Sequence, residues 1–310
     1  MPEHAFLSDV AAAADTLASG SVCALPTETV YGLAAVAENG QAVAQVYAAK
    51  GRPSFNPLIV HCANLEQAAE VVKLDHCAAS LASRFWPGPL TIVLEKQPDA
   101  PVSELAGAGL VTLAVRVPAH PLMGAVIEAV GAPLVAPSAN RSGRLSPTTA
   151  EHVVEEFGGS VPVLDGGPCE AGIESTIISL AKSQPTLLRP GAIAAEKIEA
   201  VLGHPLGKPG DGIEAPGMMT SHYAPEATLR LNATAAKPGE VLLGFGDTPG
   251  ATLNLSADGR IEEAAANLFG FLRQLDQLGK PIAVAPIPET GLGVAINDRL
   301  RRAAAPRPQG

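Results

Sequence analysis

The sequence predicts an open α/β sheet with helices on its faces, followed by a small Rossmann-like domain. Three observations carry this expectation. Apolar runs of strand length alternate with segments of helical apolar spacing through residue 205. From Leu206 to Pro225 the texture turns to Gly, Pro and Met with no period, as a linker would. Residues 226–310 then repeat the pattern of strand, helix, strand, helix. Helices interleaved with buried strands define the layered α/β class.

In order, Ser8 can cap a helix running to about Ser19, with Gly20 at its end, and Val22 to Leu25 reads as a buried strand. Further strands are expected at Pro57 to Cys62, Leu90 to Glu95, Leu110 to Val117, Leu134 to Ala136, Val161 to Leu164 and Thr176 to Leu180. Helical patterns lie between them at Leu65 to Val72, Ala78 to Phe85, Leu122 to Val130 and Thr149 to Phe157. Thr148 and Glu151 have the spacing of a capping box for the last of these, and Gly158 stops it. After the linker, Glu240 to Phe245 is a strand. Ile261, Ala265, Leu268, Leu272 and Leu275 mark one face of a long helix. Pro281 to Ile287 and Val294 to Ala304 complete the domain as strand and helix, ahead of a Pro/Gln/Gly tail expected to fray. It has no Gly-x-Gly-x-x-Gly turn, so dinucleotide binding is not implied.

With 310 residues and 47% apolar content, the chain can bury a large core, and its length favours two domains. No apolar run approaches bilayer length and no basic-then-apolar signal precedes the first helix, so a cytoplasmic protein outside the membrane is expected. The four cysteines form no Cys-x-x-Cys pair, which argues against a zinc site or a disulfide framework. Residues 1–225 hold 12 Lys+Arg against 22 Asp+Glu. Yet six of those cations, Lys50, Arg52, Arg116, Arg141, Arg144 and Arg189, fall in or beside Gly/Pro/Ser-rich turns. That pattern suggests a focused anion pocket and no broad nucleic-acid surface.

Lys50 and Arg52 flank Gly51 just before Pro53, a place that suits a triphosphate or, alternatively, a solvated loop pair. His61 ends an apolar strand, either as a satisfied core imidazole or as a ligand. Thr112 and Arg116, four apart on a strand, share a face. An arginine among Leu, Val and Ala must leave the core or meet an anion, whether a structural carboxylate or a substrate. The small-residue turn from Ala136 to Ser146 can present successive backbone N–H groups to an anion. Glu155 and Glu156 read as a solvated helix face. A serine hydrolase is excluded by the lack of a Gly-x-Ser-x-Gly elbow, and no Walker loop is present.

Taken together, Pro26-Thr27-Glu28-Thr29-Val30-Tyr31-Gly32-Leu33, Lys50-Gly51-Arg52-Pro53-Ser54-Phe55-Asn56-Pro57-Leu58-Ile59-Val60-His61, Ser138-Ala139-Asn140-Arg141-Ser142-Gly143 and Ser175-Thr176-Ile177-Ile178 resemble the YrdC-like family of threonylcarbamoyl-AMP synthases. The remainder resembles the extra C-terminal domain of its longer members. The resemblance implies a catalytic domain over 1–205, a linker and active-site lid over 206–225, and a Rossmann-like domain over 226–310. It implies that Lys50 and Arg52 act on the phosphates, and that Arg52, Asn56, Thr112, Ser138, Ser146, Arg189 and Tyr223 contact ATP. Thr29, His61, Arg116, Ala136 and Ser175 would surround L-threonine. In the lid, Met219 and Thr220 stand where the family commonly has a lysine and an aromatic, while His222 and Tyr223 remain.

The activity so implied joins L-threonine, bicarbonate and ATP into threonylcarbamoyl-AMP with release of pyrophosphate, magnesium arriving with ATP. The product would pass to tRNA-modifying transferase proteins. Two alternatives stand beside it. A non-catalytic RNA-binding module is disfavoured by the net charge of −10. A related carbamoyltransferase would carry an acylphosphatase module and Cys-x-x-Cys zinc fingers, which this chain lacks.

Overall fold

The computed structural model describes residues 5–210 and 223–306. Its first part contains strands β1 (Phe6–Leu7), β2 (Cys23–Leu25), β3 (Gly32–Val36), β4 (Ile59–His61), β5 (Leu90–Glu95), β6 (Thr112–Arg116), β7 (Leu134–Val135), β8 (Val163–Leu164), β9 (Thr176–Ser179) and β10 (Thr186–Arg189). Between them run helices α1 (Val10–Ala18), α2 (Gly40–Lys50), α3 (Leu65–Val71), α4 (His76–Phe85), α5 (Pro121–Val130) and α6 (Ala150–Phe157), with α7 (Ala195–Leu202) after β10. Among the described residues these strands form one mixed sheet in the order β1-β8-β2-β3-β7-β4-β6-β5-β9-β10. The second part has strands β11 (Leu229–Arg230), β12 (Val241–Gly244), β13 (Leu253–Asn254) and β14 (Ile282–Val284) with helices α8 (Ile261–Asp276) and α9 (Leu292–Ala304). Its sheet is parallel throughout, in the order β11-β14-β12-β13.

Strand alternation assigns the faces of the large sheet. Leu33 and Ala35 of β3 join a core with Val43 and Val46 of α2 and Val153 of α6, whereas Ala34 packs with Leu17 of α1 and Met123, Val126 and Ile127 of α5. Helices therefore cover both faces, but α1 and α5 cover the second face only over the β1-β8-β2-β3-β7 part of the sheet. Over β4, β6, β5, β9 and β10 that face holds a small cluster of Ile59, Val93, Ala114, Ile177 and Leu188. There a ligand can enter.

The second domain docks beside this gap. Val30, Leu145, Ile173 and Tyr223 share one buried cluster with Leu268, Phe269 and Leu272 of α8 and Ile296 and Leu300 of α9. Gly172 (φ +65°) lies so close that a Cβ there would come within 2.4 Å of Ala266 Cα and O. Two arginines of the second part reach across the junction. Arg273 Nη2 donates to Leu145 O at 3.1 Å, and Arg299 is fully buried against Glu174.

Several local expectations are corrected. The α1 cap is Asp9, whose extended backbone lets its carboxylate accept from Ala12 N–H, not Ser8. Thr149, not Thr148, caps α6, because its extended backbone lets its hydroxyl accept from His152 N–H, while Thr148 N–H donates to His152 Nδ1 and not to Glu151. Glu156 is not solvated: its side chain is buried, accepting from Arg141 N–H and lying 3.8 Å from Arg273. The lid positions 211–222, which include Met218, Met219, Thr220 and His222, lie outside the described residues, as does the tail from 307.

The docking geometry makes a testable statement. Gly172→Ala should cost about 2 kcal/mol or more, through both positive φ and overlap with the α8 backbone. Gly203→Ala, also at positive φ (+77°) but with nothing within 4 Å, should cost only about 1 kcal/mol. Urea midpoints of the two variants measure the difference.

Candidate functional site

Residues two apart on a strand share a face, so Ile59 with His61, Ala114 with Arg116, and Ser175 with Ile177 all point to the uncovered side. The parallel register of β4 and β6 sets His61 beside Arg116. Of these, Ile59, His61, Arg116 and Ser175 line a cavity that encloses about 520 Å³ of space, part of it open to solvent. Its lining also takes Thr27, Thr29 and Val30 from the segment before β3, and Arg52 from the turn after α2. Ala136, Pro137 and Ser138 come from the loop after β7, Glu174 and Ser175 from the approach to β9, Arg189 from the end of β10, and Tyr223 from the chain entering the second domain.

One end of the cavity is rich in acceptors. Burial, reinforced by the Arg116 charge, pushes His61 down to about 3, so its imidazole is neutral. Its Nδ1–H donates to Ile59 O at 3.2 Å, which leaves Nε2 as an acceptor. The Thr27 hydroxyl donates to Val30 O at 2.7 Å, so in its 2.8 Å contact with Thr29 the proton is supplied by Thr29. Thr29 Oγ1 in turn accepts from Arg116 Nη1 at 2.9 Å. Arg116 is further held by Gly88 O at 3.1 Å and by Glu28 Oε1 at 2.7 Å. It thus meets a structural carboxylate and lines the cavity at once.

The other end is cationic. Arg52 donates from Nε to Asn56 O at 3.2 Å and from Nη2 to Pro57 O at 2.8 Å; these bonds fold the turn back on α2 and fix the guanidinium. Burial lowers it to about 10, so it stays charged at neutral pH. Arg189 Nη2 donates to Ser175 O at 2.9 Å and to Ser175 Oγ at 3.2 Å. Glu174 is the carboxylate between them and the second domain. Burial alone would raise it, but Arg299, Arg189 and the Ser146 hydroxyl outweigh burial and hold it below the usual range.

Of the residues nominated from sequence, Thr29, Arg52, His61, Arg116, Ala136, Ser138, Ser175, Arg189 and Tyr223 are brought together here. Lys50, Asn56, Thr112 and Ser146 are not in the lining. Lys50 is not the solvated loop cation that the sequence left open as an alternative. It is the last residue of α2, before Gly51 in the left-handed region, and its buried ammonium donates to Ser138 O and Asn140 O. Burial, with Arg52 nearby, drives its pKa well down. Asn56 is buried in the Arg52 turn. Thr112 starts β6, about 13 Å from Arg116 by strand rise. Ser146 points its hydroxyl at Glu174.

Sequence reasoning had not nominated Thr27, Val30, Ile59, Pro137 or Glu174. Glu174 offered one signal, a single charge just before the Thr176 to Leu180 apolar run, but its partner Arg299 lies 125 positions away.

An α/β protein whose charge-lined cavity is closed by a second domain belongs to the small-molecule-binding class. Comparison with known proteins places it more closely. The family model described as "Telomere recombination", for the Sua5, YciO and YrdC proteins, matches residues 15–191. A model described as "Threonylcarbamoyl-AMP synthase, C-terminal domain" matches residues 193–305. The chain therefore belongs to the Sua5–YciO–YrdC family, in its two-domain form.

Among its relatives, the threonylcarbamoyl-AMP synthase of Pyrococcus abyssi is 42% identical, with 95% of this chain and 94% of that protein covered. The Bacillus subtilis threonylcarbamoyl-AMP synthase is 41% identical, covering 96% and 93%. The crystal structure of P. abyssi Sua5 complexed with L-threonine matches with a TM-score of 0.87 at 40% identity, over 95% of this chain and 94% of that one.

Two predictions follow from the buried charges. Lys50→Met takes the ammonium from Asn140 O and leaves Ser138 O with only the Asn140 N–H, and should cost roughly 1–3 kcal/mol in thermal denaturation. A solvated loop cation would cost next to nothing. Because the folded pKa of His61 lies below its unfolded value, the stabilisation is complete above pH 6.5 and is lost as pH falls toward 3. At pH 5 the loss is about 2 kcal/mol. His61→Asn should therefore flatten the fall of Tm between pH 7 and pH 5, and an unchanged slope would place the imidazole in solvent.

Proposed function

We propose that this chain is an ATP-dependent L-threonylcarbamoyladenylate synthase, a nucleotidyltransferase that makes threonylcarbamoyl-AMP and pyrophosphate from L-threonine, bicarbonate and ATP. It would act in the cytoplasm and pass its product to the transferase proteins that modify an adenosine of tRNA. The observation that carries this is one cavity with an acceptor end, Thr29 and His61 beside Arg116, and a cationic end, Arg52 and Arg189. Membership of the family, with synthases as relatives along nearly the whole chain, supports it.

In this assignment Arg116 meets the threonine carboxylate while keeping its Glu28 contact, and Thr29 Oγ1 and His61 Nε2 accept from the substrate's hydroxyl and amine. Ala136 and Ser175 flank them. The amine adds the carboxyl unit of bicarbonate, with loss of water, to give a carbamate. A carbamate oxygen then attacks the α-phosphorus and displaces pyrophosphate. Arg52 and Arg189 neutralise charge on the triphosphate, with Ser138 and Tyr223 beside the nucleotide and Asn56, Thr112 and Ser146 behind or beyond them. Lys50 serves by holding the Ser138 to Asn140 loop in place. Magnesium enters on the ATP phosphates as part of the substrate.

Pyrophosphate release should require both L-threonine and bicarbonate. Serine should be the nearest competitor, since a methyl is worth about 1–3 kcal/mol, whereas valine leaves the hydroxyl-binding acceptors unpaired and should be far poorer. Valine turning over as well as threonine would overturn the roles of Thr29 and His61. Arg52→Ala should lower turnover by roughly two orders of magnitude or more in the same assay.

A further inference from the structure

Arg299 belongs to α9 in the second domain, yet its guanidinium is fully buried at the cavity of the first. Nε donates to Glu174 Oε2 at 3.0 Å, and Nη1 donates to Pro190 O and reaches Asp298 Oδ2 at 3.1 Å. The guanidinium carbon lies 5.3 Å from the centroid of the Tyr223 ring. Tyr223 also meets Phe269 of α8, with ring centroids 5.6 Å apart. Glu174 also takes the Ser146 hydroxyl, and Glu174 and Tyr223 both line the cavity.

A carboxylate in the wall of a polyphosphate site repels its ligand unless it is neutralised. Glu174 is buried, so solvent cannot screen it. A buried pair is also a costly way to gain stability, since an apolar pair of the same volume often does as well. A pair placed in this wall has a further use.

We propose that Arg299 is a positioning residue for the nucleotide end of the cavity. It silences the Glu174 charge and supports the Tyr223 ring, so the second domain completes the ATP site from outside the catalytic sheet. This rests on the synthase assignment and adds a residue and a domain to it. Arg299 does not reach the threonine end, where Thr29, His61 and Arg116 are fixed by bonds within the first domain.

The test is calorimetric titration of the full chain with a non-hydrolysable magnesium–ATP analogue and, separately, with L-threonine. Arg299→Met should weaken the analogue by at least about tenfold and threonine by less than about threefold. Adding Glu174→Gln to that variant removes the unpaired charge and should return analogue binding to within about threefold of wild type. A merely structural arginine would instead weaken both ligands together, with no rescue. Unchanged analogue binding in Arg299→Met would overturn the proposal, as would a double variant that folds but does not recover. If Arg299→Met alone does not fold, the double variant decides by the same criterion. Absence of analogue binding to the wild-type chain would overturn the synthase assignment itself, a result distinct from any of these.

Discussion

The pairing of Glu174 with Arg299 is the contact on which the rest of the cavity depends. It joins the segment entering β9 to a helix of the other domain, and both partners are buried. Without Arg299, Glu174 would lose its ion pair and keep the Ser146 hydroxyl, and Arg299 without Glu174 would keep only Asp298 and the Pro190 carbonyl. Apolar contact alone could hold the domains together, as the cluster shared by Val30, Ile173, Leu268 and Phe269 shows. The ion pair adds a fixed register, because a guanidinium with three partners tolerates little sliding.

The topology explains why polar groups collect on this part of the sheet. Helices α1 and α5 cover the face from β1 and β8 to β7 and stop there, so side chains from β4, β6 and β9 would otherwise be bare. His61 and Arg116 are brought together by the register of two parallel strands, not by proximity in the chain. The helices of the opposite face leave no such opening over β4, β5 and β6, and there the strands are purely apolar, with Val60, Ile92, Leu94 and Val115. One sheet thus carries a dry core on one side and chemistry on the other.

The extent to which this was legible follows the same physics. β5 was read from Leu90 to Glu95 with its observed ends, and the C-terminal helices α8 and α9 within two residues, because their apolar spacing is strong. β3 was missed, since Gly-Leu-Ala-Ala-Val carries too little bulk to look like a strand, and its pairing with β2 and β7 is a tertiary fact. Cap positions slipped by one residue where neighbouring Ser, Asp or Thr could each serve. The turn cations were visible as types but not as environments: Lys50 is drawn inward by two carbonyls 88 and 90 residues away. Glu156 became buried through an arginine at 273, and Glu174 through one at 299. Local pattern names a charged residue, whereas its burial is decided by partners that only the fold supplies.

Proton accounting at the acceptor end constrains the chemistry further. A neutral His61 that protonates only near pH 3 is a good hydrogen-bond acceptor and a poor base. Thr29 has its own proton committed to Thr27, and Glu28 is engaged in its ion pair with Arg116. The threonine ammonium can therefore be bound by these groups, yet none of them is suited to keep its proton. In the proposed reaction the ammonium sheds two protons on its way to the carbamate, one leaving in the water lost from bicarbonate and the other passing to solvent. Such a site orients an amine and lets the co-substrate deprotonate it, which fits acceptors placed around a cation better than it fits a catalytic base.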